Sequence, residues 1–163
     1  VTELPHLLDA IATFTANACT KLRAQASQAS VVQVFLQTNR FRSDLQQYTP
    51  CLAVPLPQAT ADTLQINGWA AELCRQMWKP GFEYKKAGVI LSEITPASRH
   101  QGDLLDAEKT GSLRLMETLD RLNTRFGRGT VKISAQGAYE QWQMRQQRKS
   151  PNYTTSWSEL PTA

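Results

Sequence analysis

Two stretches of the sequence place hydrogen-bonding amides beside cations. Gln33 and Gln37 alternate with apolar residues in SVVQVFLQT and are followed by TNRFR, while YKKAGVIL opens on two lysines. Amides and cations on one surface suit contacts to phosphate oxygens, which fix position without reading a base sequence. The alternative is a solvated sheet face. The candidates are Gln33, Thr38, Arg40, Arg42, Lys85, Lys86 and Gly88, a position where another backbone can approach closely.

The polar stretch HQGDLLDAEK places two adjacent leucines between a strand-like run and a helical run. Leu104 and Leu105 follow Gln101 and Asp103 among turn-forming and charged residues. Leucines on a flexible tether can enter a preformed apolar pocket while an amide hydrogen-bonds at its rim. The alternative is a linker that contains a leucine pair by chance.

The sequence shows no pattern typical of a catalytic or metal centre. His6 and His100 have no second ligand at metal spacing, and neither CxxC nor HExxH occurs. No Ser-His-Asp or Cys-His order stands out, and the acidic residues are scattered. Cys19, Cys51 and Cys74 are widely spaced within apolar patterns, which predicts reduced, buried thiols in a cytosolic protein.

Size and charge limit the class of protein. A chain of 163 residues that is 41% hydrophobic can bury one ordinary core, or one core and a small satellite. The net charge of +4 is compatible with a polyanionic partner, although a solubilising surface would give the same excess. No window approaches 18 uninterrupted apolar residues, so no membrane span is predicted. The sequence begins at Val1, and we expect it to be part of a longer protein.

Hydrophobic periodicity predicts the elements that must position these residues. The predicted elements are helix 3–25 with Thr2 as its cap, strand 30–38, strand 52–56 near a sheet edge, helix 61–78 and strand 84–94. The first strand puts Val32, Val34 and Leu36 on one face and its glutamines on the other. The order α-β-β-α-β predicts an α+β fold, a small antiparallel sheet with two helices on one face and the other face open.

A second, smaller unit is predicted after Pro96. Its predicted parts are a linker over 96–111, a helix over 112–126, a short strand over 130–135, a short helix over 138–148 and an extended tail. About fifty residues are marginal as an independent unit. We therefore expect a partner or the first domain to cover Trp142, Tyr153 and Trp157.

Six blocks of the sequence, in order, resemble the C-terminal part of the UmuC family. They are YKKAGVIL, QGDLL, GRGTV, AQG at 135–137, WQMR and SPNYTTSWSELP. Members of this family are the catalytic subunits of SOS-induced, error-prone translesion DNA polymerases, relatives of DNA polymerase V that include plasmid-borne mutagenesis proteins. The resemblance implies a Y-family little finger domain over 1–95, a linker with a clamp-binding motif over 96–111 and an interaction domain over 112–163.

The resemblance also implies what this chain lacks. Nucleotidyl transfer needs carboxylates on two metal ions, and in the family these belong to a palm domain outside this sequence. We therefore expect no catalysis and no cofactor in this part, with Mg²⁺ bound in the palm of a parent polymerase. The little finger usually opens with a strand that would end at Val1 and Thr2, which predicts an unpaired sheet edge here.

For the two candidate sites, the resemblance implies specific partners. The open sheet face would grip the backbone of a primer-template duplex, and four neutralised phosphates would give a log–log salt slope of about −3.6. Gln101, Asp103, Leu104 and Leu105 look like the short peptide that binds the sliding clamp, with roughly micromolar affinity.

For the C-terminal unit, the resemblance implies the UmuD′ dimer and the RecA filament as cytoplasmic partners. The candidate residues are Arg121, Arg125, Arg128, Trp142, Arg145, Tyr153 and Trp157. Their basic members could contact DNA or acidic protein surfaces, and the alternative is the charged face of an amphipathic pair. Two functions remain open: a DNA-gripping, clamp-tethering portion of a translesion polymerase, or a pure protein-interaction module.

Overall fold

A computed structural model of the chain describes residues 1–99, 110–137, 142–143 and 150–159. The predicted clamp motif at 101–105, Arg145 and most of the predicted helix 138–148 lie outside the described residues. The helices and strands are α1 (Leu4–Ala24), β1 (Ser27–Thr38), β2 (Cys51–Thr60), α2 (Thr63–Met77), β3 (Tyr84–Pro96) and α3 (Thr110–Phe126). The predicted order of the first five elements and the α+β fold class are confirmed.

The two first helices begin in different ways. Pro5 occupies the first turn of α1, where a missing N–H is tolerated, and the cap is Glu3 without a side-chain bond rather than the predicted Thr2. Asp62 caps α2 by accepting a hydrogen bond of 2.8 Å from the backbone N–H of Leu64. Leu7, Ile11, Cys19 and Leu22 recur at helical spacing along α1 and are buried against the sheet and α2.

The sheet is antiparallel and three-stranded, with β1 in the centre between β2 and β3. Val32 lies opposite Val54 on one side and Leu91 on the other. The prediction that β2 forms a sheet edge is confirmed, as expected for a strand that contains two prolines. Val34 and Leu36, also predicted to point inward, are fully buried under the helices, so the opposite face is the open one.

Val1 extends the hydrogen bonding of the sheet by one residue beyond β3. Its N–H and C=O groups exchange two hydrogen bonds of 2.9 Å with the backbone of Tyr84. Within the part of the chain that the structure describes, no further strand pairs with the outer side of β3. The predicted unpaired edge is therefore the outer edge of β3.

Two of the three cysteines are buried as predicted, and one is not. Cys19 and Cys74 are fully buried, and desolvation raises the pKa of each thiol to about 11. Cys51 is exposed, because it lies on the open face opposite Phe35. The prediction of a buried thiol at Cys51 is wrong.

Helix α3 packs against the first domain through a charged contact. The guanidinium of Arg23 in α1 donates two hydrogen bonds of 2.6 and 2.8 Å to the Asp120 carboxylate. It also donates to the carbonyl of Ala61 at 2.7 Å and to the hydroxyl of Thr63 at 2.9 Å. Only 9% of the Arg23 side chain is exposed, so this group joins α1, the start of α2 and α3 away from water.

The predicted strand over 130–135 is wrong. Turns and a 3-10 helix at Ser134–Gln136 occupy this segment. The side-chain amide of Asn123 donates to the carbonyl of Val131 and accepts from its N–H, both at 2.9 Å. Because a side chain satisfies both backbone groups, Val131 needs no neighbouring strand.

No helix within the described ranges has both the length and the apolar character needed to cross a membrane.

Candidate nucleic-acid interface

The centre of the open sheet face is apolar. Val31, Gln33, Phe35 and Gln37 point away from the helices along β1. Their partners across the sheet are Pro55, Ala53 and Cys51 in β2 and Ser92, Ile90, Gly88 and Lys86 in β3. The amide of Gln33 is engaged within the sheet, because its Nε2 lies 2.8 Å from the sulfur of Cys51. The cationic candidates lie at one end of the face, where Lys86 pairs with Gln37.

A β-bulge forms this cationic end. Thr38 pairs with Tyr84 while Gln37 pairs with Lys86, so Lys85 is the extra residue between the two pairs. Both lysines are exposed at the start of β3. Neither forms an ion pair with any residue that the structure describes. Their charge is available to an anionic ligand.

The two arginines after β1 are held by neighbouring side chains. The Gln37 amide, in the orientation that satisfies both groups, accepts hydrogen bonds from Nε and Nη2 of Arg40. Arg42 donates to both carboxylate oxygens of Asp44, at 2.8 and 2.6 Å. This hydrogen bonding lowers the pKa of Asp44 and raises that of Arg42. The charge of Arg42 is thus offset locally, whereas that of Arg40 is not.

Thr38 does not belong to the open face. Its side chain is on the helix side with 3% of its surface exposed. Side chains alternate between the two faces of a strand, and Thr38 therefore points to the same face as the buried Val34 and Leu36. Its hydroxyl donates to Oε1 of Gln47 at 2.9 Å and accepts from the N–H of Tyr48 at 3.0 Å. The prediction that Thr38 contacts DNA is corrected: it anchors the loop after β1.

Gly88 also differs from its predicted role. A Cβ atom there would lie 2.5 Å from the ring of Phe35, its partner across the strands. The ring therefore covers the glycine backbone, as aromatic side chains do in other sheets. The close approach is made by this chain's own Phe35, and the expectation that an external backbone approaches Gly88 is corrected.

We expect Gly88→Ala to lower the free energy of unfolding by about 1 to 3 kcal/mol, because the new methyl group displaces the Phe35 ring. Gly68→Ala in α2 is the matched control. Nothing lies within 4 Å of its Cβ position, so this change should raise stability by about 1 kcal/mol through helix propensity. Urea denaturation measures both. Equal effects of the two substitutions would contradict the proposed contact.

The C-terminal candidates do not form one cluster. Arg121 is exposed on α3, Arg125 lies over the ring of Phe126 at 5.2 Å and Nη2 of Arg128 donates to Asn17 of α1 at 2.9 Å. The structure thus places Arg128 against the first domain and leaves Arg121 facing solvent.

The aromatic candidates of the C-terminal unit divide in the same way. Trp142 packs edge to face on Phe14, with ring centroids 5.3 Å apart, so the first domain covers part of it as expected. Tyr153 and Trp157 are exposed, the latter to 91%.

No group of three or more potential metal ligands occurs among the described residues.

Sequence reasoning missed two features near this site. Phe41 lies between the two arginines of the loop and is 97% exposed. The ammonium group of Lys79 lies 4.5 Å from the centre of the Tyr48 ring and adds a cation at the same end. The pattern NRFR, an aromatic residue between cations, was the available signal for Phe41.

Comparisons with known proteins cover the whole chain. A family profile described as the impB/mucB/samB family C-terminal domain matches residues 1–104, and one described as a domain of unknown function (DUF4113) matches residues 113–163. Protein UmuC of Salmonella typhimurium strain LT2 is 34% identical over 162 residues, or 98% of this chain and 38% of the relative. Protein ImpB of Salmonella typhimurium is 32% identical and Protein MucB of Escherichia coli 34%, each over all of this chain and 39% of the relative. The chain thus spans about two fifths of these curated relatives.

Proposed function

Since the chain belongs to the impB/mucB/samB family, we propose that it is the DNA-gripping, clamp-tethering C-terminal portion of an error-prone translesion DNA polymerase. In this proposal residues 1–95 are the little finger, 96–111 carry the clamp motif and 112–163 contact the UmuD′ dimer and the RecA filament. The portion performs no chemistry and binds no cofactor, and the Mg²⁺ ions belong to the palm of a parent that acts in the cytoplasm during SOS mutagenesis.

One observation carries the DNA-gripping part of the proposal. Arg40, Lys85 and Lys86 are grouped at one end of an open sheet face, and no described carboxylate forms an ion pair with any of them. Cations without a carboxylate partner on a sheet suit phosphate oxygens, whose positions do not depend on the base sequence. Such contacts would tolerate a damaged base.

We expect duplex binding to weaken with salt at a log–log slope of about −2.7, which corresponds to three phosphate contacts. The number of phosphate contacts is three and not the four expected from the sequence, because Asp44 already offsets the charge of Arg42. Lys85→Ala with Lys86→Ala should reduce the slope to about −0.9, since two contacts are lost. Fluorescence anisotropy of a labelled primer-template duplex over a salt series measures both slopes.

The control removes two cations from the helices. Lys21→Ala with Arg75→Ala takes the same charge from α1 and α2, which cover the other face of the sheet. This pair should leave the slope near the wild-type value if the contacts are local. An equal loss in both double variants would mean that net charge, and not the sheet face, determines binding.

A pure protein-interaction module is the second candidate function. It is favoured by the exposed Tyr153 and Trp157 and by the exposed apolar side chains Leu115 and Phe126 on α3. Large exposed apolar groups are typical of protein contact surfaces. No measurable duplex binding by the wild-type chain, together with capture of a UmuD′-type dimer or a RecA filament, would favour this function over the first.

A further inference from the structure

Phe41 is the most exposed large hydrophobic residue that the structure describes. It lies in the loop between β1 and β2, three residues after the end of β1, and 97% of its surface is accessible. A ligand that covered this ring would bury apolar surface and gain the corresponding hydrophobic free energy.

The loop itself is well organised, so the exposure of Phe41 does not reflect a lack of local structure. Nε2 of Gln47, which has two hydrogens to donate, lies within hydrogen-bonding distance of the carbonyls of Asn39, Arg42 and Leu45, at 3.1, 2.8 and 3.1 Å. The N–H of Phe41 donates to Oδ1 of Asn39 at 3.2 Å. These bonds fix the loop from within, with the ring on the outside.

The surroundings of the ring are cationic. Residues 39–50 and 79–86, which meet at this end of the sheet, contain five lysines and arginines and two carboxylates. Arg40 and Arg42 flank Phe41 and are held by Gln37 and Asp44. An aromatic ring among cations matches a ligand that has both flat apolar faces and negative charge, and a nucleotide has both.

We propose that Phe41 stacks on an unpaired nucleobase, in single-stranded DNA next to the duplex that the sheet face grips. The inference rests on the proposed function and extends it to a second kind of DNA contact. The bases of a duplex are already stacked on each other, so the ring reaches a base face only where the strand is unpaired. Arg40, which forms no ion pair with a described carboxylate, holds a neighbouring phosphate.

The test compares the affinity of the full chain for single-stranded DNA with its affinity for duplex DNA. We expect Phe41→Ala to weaken binding of a short homothymidine strand by about 5- to 150-fold, the range for loss of one base–aromatic stack. Binding of a blunt duplex should change by less than about twofold, because the change leaves the phosphate contacts in place. Phe41→Trp should retain the single-strand affinity. A strand containing 2-aminopurine should show fluorescence quenching with the wild type and lose it with Phe41→Ala.

Leu64→Ala is the matched control, because it also removes an exposed apolar side chain but lies at the start of α2. It should leave both affinities unchanged. The inference would be overturned if Phe41→Ala bound single-stranded DNA as tightly as the control does. Phe41 would then be expected to contact an apolar pocket on a protein. Equal weakening on both DNAs would also overturn it. Wild-type binding to duplex alone would overturn the stacking inference while DNA gripping stands, and binding to neither DNA would overturn both.

Discussion

Arg23→Ala is expected to lower the free energy of unfolding by about 3 kcal/mol, since it leaves the Asp120 carboxylate without its partner. It also removes the donors to the carbonyl of Ala61 and the hydroxyl of Thr63. The effect lies at the lower end of the range for buried pairs, because 25% of the Asp120 side chain is exposed. Urea denaturation should show a lower midpoint at an unchanged slope.

Arg75→Ala provides the comparison within the same protein. Its guanidinium lies 3.6 Å from Glu72, and about half of each side chain is exposed. Water and salt screen such a pair, so its loss should change stability by less than about 0.5 kcal/mol. If the two arginine variants unfold at the same urea concentration, Arg23 does not hold α3 against the first domain.

The largest expected effect on partner binding comes from the leucine pair. Leu104→Ala with Leu105→Ala should weaken clamp binding by at least about 100-fold, because each buried leucine contributes about 1.5 to 3 kcal/mol. Gln101→Ala should weaken it less, by about fivefold, since one neutral hydrogen bond is lost. Surface plasmon resonance on an immobilised sliding clamp measures these affinities, and the melting temperature should not change.

Two exposed leucines of α3 provide the matched control. Leu113→Ala with Leu115→Ala removes the same apolar area from side chains that are 55% and 51% exposed. Clamp binding should survive this change. Persistent clamp binding after loss of Leu104 and Leu105 would show that the pair lies in an ordinary linker.

The fold was largely predictable because its strands alternate clearly. Val32 and Leu36 alternate with Gln33 and Gln37, and this parity alone determines which face of β1 meets the helices. The same parity places Thr38 inside, so the error there came from grouping it with the arginines that follow. The alternation of side chains along a strand, extended by two residues from Leu36, excludes Thr38 from the open face.

The contacts that sequence reasoning missed depend on tertiary structure. The register that sets Gly88 opposite Phe35 results from hairpin and crossover geometry, which one sequence does not specify. The pair of Arg23 and Asp120 joins residues 97 positions apart. At Val131 the β propensity was outweighed by the side chain of Asn123, which takes the place of a strand partner.

The position of Cys51 gives the open face a reactive thiol, which neither of the other two cysteines of this sequence provides. Its thiol is exposed beside Gln33 at the start of the edge strand β2, while the other two thiols are buried and remain protonated at neutral pH. A maleimide dye would therefore attach to this chain at Cys51 and not at Cys19 or Cys74. Such a label would report directly on whatever occupies the sheet, without any cysteine having to be introduced or removed.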